Sequence, residues 1–145
     1  MAINVKYFTQ RMTFYEKELN RINDLIYSNQ GQIETVIAVR CYIDNNCDLA
    51  LNLDFLSHIH FVSKYHLLRL FKRYYGLTPG QYLKGKRIEK SKERLKNGMS
   101  VTETCFAVGF ESVGSFSTLF KTRTGKSPTQ YQKEQLSRSK LNFES

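Results

Sequence analysis

The apolar positions of this chain fall into segments spaced for helices. Val5, Phe8, Met12, Tyr15, Leu19, Ile22 and Ile26 follow one another at alternating intervals of three and four, a heptad pattern with Val5, Met12, Leu19 and Ile26 at one core position. Leu67, Leu70, Phe71 and Tyr74 form a second apolar stripe, and Phe116, Leu119 and Phe120 a third. Ser63 and Ser112 stand ahead of these last two, where a hydroxyl can accept an orphan backbone N–H at a helix start. Gly76 and Gly125 follow them and supply the left-handed residue that commonly ends a helix.

The two capped helices belong to an internal repeat. Leu70-Phe71-Lys72, Gly76, Pro79 and Gln81-Tyr82 recur 49 positions later as Leu119-Phe120-Lys121, Gly125, Pro128 and Gln130-Tyr131, and seven of the 13 positions from 70 to 82 are identical. Carried upstream without a gap, the offset pairs Phe61 with Phe110 and Ser63 with Ser112. Thr78-Pro79-Gly80-Gln81 and Ser127-Pro128-Thr129-Gln130 each read as a capping box with proline at the first helical position, so each unit closes by starting a new helix.

A short helix is expected ahead of each capped one, Asn52 to Ile59 and Thr102 to Val108. The turns between are His60-Phe61 and Gly109-Phe110, short enough for a helix-turn-helix, with a positive backbone dihedral expected at His60 and Gly109. Two copies of a DNA-reading motif then flank one long helix from about Pro79 to Asn97.

Composition narrows what such a protein touches. At 145 residues, 41% hydrophobic and 24% charged, the chain can bury a modest core in water, and neither disorder nor a membrane protein is suggested. No run of 18 apolar residues exists, and Asn4, Lys6 and Gln10 interrupt the first ten positions, which argues against a spanning helix or a secretory signal. For a DNA-binding chain the expected place is the cytoplasm, on the nucleoid. Lysine and arginine number 22 against 13 acidic residues, a net charge of +9. The excess is concentrated: Lys84, Lys86, Arg87, Lys90, Lys92, Arg94 and Lys96 face only Glu89 and Glu93 between positions 84 and 96. That field suits phosphate, whether in nucleic acid or on an anionic membrane surface.

Cys41, Cys47 and Cys105 are odd in number and read as free thiols of a reducing compartment. Together with His58, His60 and His66 they match no zinc-ligand spacing. Cys105 sits on a helix face expected to be buried and has no evident base, and no phosphate loop or triad pattern is present. No catalytic residue, metal or cofactor is therefore expected.

Val108-Gly109-Phe110, Phe116, Phe120-Lys121, Gly125, Ser127-Pro128 and Tyr131 carry the second unit, and Ser63, Leu67, Arg69, Phe71-Lys72, Gly76, Pro79 and Tyr82-Leu83 the first, with Arg87-Ile88 between. On these residues the chain resembles the DNA-binding domain of the AraC/XylS family of bacterial transcription regulators, from near Ile33 to Tyr131. The resemblance implies an all-α fold of about seven helices, in which two helix-turn-helix subdomains are joined by a long linker helix. It also implies binding to double-stranded promoter DNA, contact with RNA polymerase, and activation. Residues 33–132 are assigned to this domain, 1–32 to an N-terminal amphipathic helical extension, and 133–145 to a C-terminal tail. The extension is too short for the effector-binding domain that most family members carry. Local departures are Leu56 and Cys105, where the family favours a small residue such as alanine; Thr104, where isoleucine or leucine is usual; and Ser91 and Arg94, in place of alanine and leucine.

With Leu67, Leu70, Phe71 and Tyr74 turned inward, Lys64, Tyr65, Leu68, Arg69, Lys72 and Arg73 face outward. Arg69 can make a bidentate contact to guanine, while Tyr65 and Leu68 can rest on thymine methyls. Members similar to this chain contact bases from the positions matching Tyr65, Leu68 and Arg69. Lys64, Lys72, Arg73 and the Ser63 hydroxyl suit phosphates. The second helix is poorer in donors: Gly114 and Thr118 are its base-facing positions, and Ser112, Ser117 and Lys121 its phosphate-facing ones, so shape reading and anchoring are expected there.

Three arrangements fit the heptad in residues 5–26, and the sequence leaves them open: a parallel homodimer, in which Arg11 and Glu16 occupy flanking positions that can pair between strands, an amphipathic helix folded onto its own domain, or a remnant of a larger regulator. For function, the alternative to a promoter-reading regulator is an architectural DNA-binding protein with little sequence preference.

Overall fold

A computed structural model describes residues 14–143, which form seven helices and no strands: α1 (Phe14–Asn46), α2 (Leu53–Ile59), α3 (Lys64–Tyr75), α4 (Pro79–Lys96), α5 (Val101–Ala107), α6 (Val113–Thr124) and α7 (Pro128–Phe143). The chain is all-α, as the repeat and its caps predict.

Two separate cores divide the helices. Val36, Val39 and Ile43 of α1, with Cys47 just beyond it, meet Leu56 of α2, Leu67, Leu70 and Phe71 of α3, and Leu83 of α4. Ile88 and Leu95 of α4 meet Cys105 of α5 and Phe116 and Phe120 of α6, with Tyr131 of α7 packed against them. The linker helix therefore serves both subdomains: its first half closes one core and its second half the other. Phe71, Phe116 and Phe120 are wholly buried, and each contributes on the order of 1.5–3 kcal/mol through lost water contact. Tyr82 secures the first junction by donating its hydroxyl to Asp44 Oδ1 at 2.7 Å, and Lys86 pairs with the same carboxylate at 3.3 Å. Gln132 secures the second, its amide donating to the carbonyls of Leu95 (3.0 Å) and Met99 (2.6 Å).

Helix ends follow the chemistry of their caps. Ser63 Oγ accepts from His66 N and Ser112 Oγ from Ser115 N, while Gly76 and Gly125 end α3 and α6 in the left-handed conformation. Thr78 and Gln81 make both bonds of a capping box, and Ser127 Oγ accepts from Gln130 N. A further box, Ser100 with Glu103, opens α5.

Four sequence expectations are corrected. The repeat does not run ungapped through the turns: α2 and α5 correspond at an offset of 48, with N-caps Asn52 and Ser100 and C-caps His60 and Val108. The same offset relates Val62 N→Ser57 O to Phe110 N→Cys105 O, both 3.1 Å. One extra residue in the second turn restores 49 at Ser63 and Ser112. Phe61 is thus the counterpart of Gly109, and the left-handed residue of the first turn is Phe61 (φ 54°), not His60 (φ −102°). The small buried position matching Cys105 is accordingly Ser57, not Leu56; Leu56 matches Thr104. Finally, Tyr74 stays 38% exposed, and it is Tyr75, four residues after Phe71, that packs against the Phe71 and Tyr82 rings.

The N-terminal extension is not a separate helix in its described part. Residues from Phe14 onward continue directly into α1, whose first buried side chain among the described residues is Val36. Phe14, Tyr15, Leu19, Ile22, Leu25 and Ile26 are exposed along it. Val5, Phe8, Arg11 and Met12 of the heptad lie outside the described residues. At the other end, residues 133–143 continue α7 as helix.

Candidate nucleic-acid interface

α3 and α6 are the second helices of their units. In α3 the buried residues Leu67, Leu70 and Phe71 fix the helix against the first core, which turns Tyr65, Arg69 and Lys72 to solvent at successive turns. Tyr65 is 80% exposed, and Leu68 between them is half-buried. Arg69 and Lys72 make no intramolecular ion pair among the described residues, so both cations are available to an external anion. Arg73 is exposed, its guanidinium 5.9 Å from the centre of the Tyr74 ring.

Lys64 faces outward and already has an acidic neighbour. Its ammonium pairs with Asp54 Oδ1 of α2 at 2.6 Å, and that bond holds its pKa above the ordinary lysine value. A phosphate at Lys64 has to compete with Asp54. Ser63 and Ser112 are both engaged as caps, each accepting a backbone N–H through the side-chain oxygen. Their position is the first turn of each recognition helix, where orphan N–H groups and the helix dipole favour a neighbouring phosphate.

On α6, Phe116 and Phe120 lock the inner face, leaving Gly114, Thr118 and Lys121 exposed at spacings of four and three, with Ser117 half-buried beside them. A Cβ added at Gly114 would meet nothing within 4 Å, so the backbone there is open to close approach. Ser112 Oγ lies 2.9 Å from Ser115 Oγ. The surface of α6 is hydroxyl-rich and carries Lys121 and Arg123 towards its end. The predicted contact residues thus form two sets, one per helix and one per subdomain, joined through α4.

The basic charge of α4 is less available than its sequence suggests. Lys86 pairs with Asp44, Lys92 with Glu89 at 2.9 Å, and Arg87 donates to backbone carbonyls of Cys47 and Leu49. Lys84 remains exposed, on the rim of an open cleft of about 860 Å³ between the subdomains. Sequence reasoning missed Arg87 as an internal group. Its signal was only its place between Leu83 and Ile88, the two core residues of opposite subdomains.

The cysteines and histidines do not converge: among the described residues no group of three His, Cys, Asp or Glu could hold a metal ion. All three thiols are free, and burial pushes the Cys105 thiol above its ordinary value. No described helix is long and apolar enough to cross a membrane.

Two helix-turn-helix units on one connecting helix, each presenting a capped second helix, define a DNA-binding domain of the kind found in transcription regulators. A family profile described as a helix-turn-helix domain matches residues 56–134, and the chain belongs to the AraC/XylS family through this domain. It is similar to the probable transcriptional regulator LumQ of Photobacterium leiognathi, 33% identical over 125 residues, which span 83% of this chain and 44% of that protein. The chain thus spans less than half of that relative's length. Among solved structures, the C-terminal domain of AraT, a response regulator from Geobacillus stearothermophilus, is similar with a TM-score of 0.67 and 30% identity, over 69% of this chain and 84% of that one. The DNA-binding domain of AdpA, a global transcriptional factor solved in complex with a target DNA, shares the fold with a TM-score of 0.68 and 22% identity, covering 71% of this chain and 94% of that one.

Proposed function

We propose that this chain is a sequence-specific transcription regulator that inserts α3 and α6 into adjacent major grooves of promoter DNA. The observation that carries the proposal is the exposed row Tyr65, Arg69 and Lys72 on a capped helix whose opposite face is buried. Arg69, with Tyr65 and Leu68, reads base edges from α3. Lys72 and Arg73, with Ser63 and to a lesser degree Lys64, hold the backbone. On α6, Gly114 and Thr118 approach the bases, while Ser112, Ser117 and Lys121 anchor phosphates. AdpA, whose DNA-binding domain was solved on its target DNA, supports double-stranded DNA as the ligand.

We further propose activation through contact with RNA polymerase, in the cytoplasm and on the nucleoid, a reading supported by the family resemblance. Homodimerisation through residues 5–26 is favoured by a specific feature, the exposed Tyr15, Leu19, Ile22 and Ile26 at heptad spacing on α1, for which a second parallel copy is the proposed partner.

Selection of bound sequences from a random DNA pool tests the functional reading. A defined consensus, protected over two contact centres roughly 10 base pairs apart, is expected. Enrichment without a consensus would assign the chain to architectural DNA binding instead.

A further inference from the structure

The second turn is seated against the first subdomain, and among the described residues nothing covers Phe61 of the first turn in the same way. A Cβ at Gly109 would stand 2.9 Å from the carbonyl oxygen of Asp48, 3.0 Å from that of Cys47 and 3.0 Å from Arg87 Nε. Its counterpart Phe61 is 96% exposed. The connection between α1 and α2 therefore crosses directly over the turn between α5 and α6. Arg87 fills this junction. Its Nε donates to Cys47 O at 2.7 Å and its Nη2 to Leu49 O at 2.8 Å, while the guanidinium carbon lies 5.7 Å from the centre of the Phe110 ring.

One side chain thus grips the backbone of one subdomain and lies over an aromatic of the other. It does so from the point on α4 where the helix passes from the first core, at Leu83, to the second, at Ile88. The planar fork is what makes this grip: it reaches two carbonyls two residues apart while keeping a face for the ring, which an ammonium cannot do. A half-buried guanidinium bonded to uncharged carbonyls is an expensive arrangement for a merely structural surface charge.

We propose that Arg87 is a positioning residue that locks the two helix-turn-helix units into one rigid body and thereby sets the spacing at which α3 and α6 meet DNA. The proposal rests on the two-groove reading above. Without the lock each unit keeps its own core, but only α4 and the backbone approach at Gly109 govern their relative orientation, and the register between the two grooves loosens.

The test uses the full chain with Cys41→Ser and spin labels on cysteines placed at Asn45 of α1 and Lys133 of α7, one exposed helical site per subdomain. The parent is expected to give one narrow interlabel distance by pulsed electron resonance. Arg87→Lys, which keeps the charge and the apolar stem, is expected to broaden it at unchanged helicity. Phe110→Leu, which keeps an apolar neighbour for Phe116, provides a second variant with a smaller broadening.

Unlabelled proteins are then titrated onto the DNA that the parent selects from a random pool, and onto the same DNA with two base pairs inserted between the protected segments. The parent is expected to lose at least tenfold in affinity on insertion. Arg87→Lys is expected to bind the original DNA at least tenfold more weakly and to lose less than threefold on insertion. A narrow, unchanged distance in both variants would overturn the lock. A narrow distance in the parent that broadens in the variants, with a parent that selects no consensus or protects only one groove, would retain the lock and overturn the two-groove reading.

Discussion

Phe61 and Gly109 occupy one position in the two helix-turn-helix units, and both adopt positive φ, 54° and 99°. One is a bulky aromatic open to solvent; the other is a glycine pressed against three atoms of the neighbouring subdomain and its linker. Equivalent backbone geometry therefore answers to opposite constraints on the side chain.

Substitutions at the two sites should have opposite signs. Phe61→Gly removes left-handed strain, offset in part by the entropy of glycine, and is expected to stabilise the fold by about 1 kcal/mol. Gly109→Ala places a Cβ against two carbonyl oxygens at an unfavourable dihedral and is expected to destabilise by about 1–3 kcal/mol. Denaturant unfolding of both variants measures this, and a destabilised Phe61→Gly would show that the Phe61 side chain holds the turn through contacts.

Truncation separates the projecting part of α1 from the domain. Among the described residues the first buried side chain is Val36, so deleting residues 1–30 should leave both cores intact, with helicity reduced only by the missing segment. If residues 5–26 pair two copies, sedimentation should show a dimer for the full chain and a monomer for the truncated one. A monomeric full chain at high micromolar concentration would contradict that pairing.

His60 gives stability a pH dependence. It is half-buried beside the Tyr42 ring, its Nε2 has no hydrogen-bond partner among the described residues, and burial lowers its pKa below the ordinary 6.5. The unfolded chain then binds the proton more readily than the folded one. Stability from this group is present in full above about 6.5 and declines as the pH falls below that value towards the lowered folded one. Urea unfolding at pH 7.5 and 5.5 should show the loss, and His60→Gln should reduce it; an equal loss in the variant would place its origin elsewhere.

The fold was legible because its signals are local. Ser63, Ser112, Thr78 and Gln81 satisfy helix ends within three residues, and the structure uses all four as caps. The Ser100 and Glu103 box was equally visible by its spacing, yet the start of α5 was placed one residue late. The one-residue slip between the units was hidden because Phe61 and Phe110 match by identity, while the structure equates positions by backbone: Val62 and Phe110 pack on their cores, and Phe61 does not. Of the interface, the exposure of Tyr65, Arg69, Lys72, Thr118 and Lys121 follows from helical period alone. The pairing of Lys64 with Asp54 and of Arg87 with Cys47 and Leu49 did not, because partners brought together by tertiary packing leave no mark in spacing.

The unequal chemistry of the two recognition helices gives the most direct test of sequence-specific reading. Binding of Arg69→Ala and Lys121→Ala is measured across a salt series on the DNA selected by the parent and on random DNA, with helicity checked in each variant. Arg69→Ala is expected to lose about 1–3 kcal/mol on the selected DNA and much less on random DNA, because a bidentate base contact is lost. Lys121→Ala is expected to weaken both alike and to lower the salt slope by about one, as for a lost phosphate contact. Equal losses on both DNAs for Arg69→Ala would contradict sequence reading by α3 and leave that helix only a positioning role.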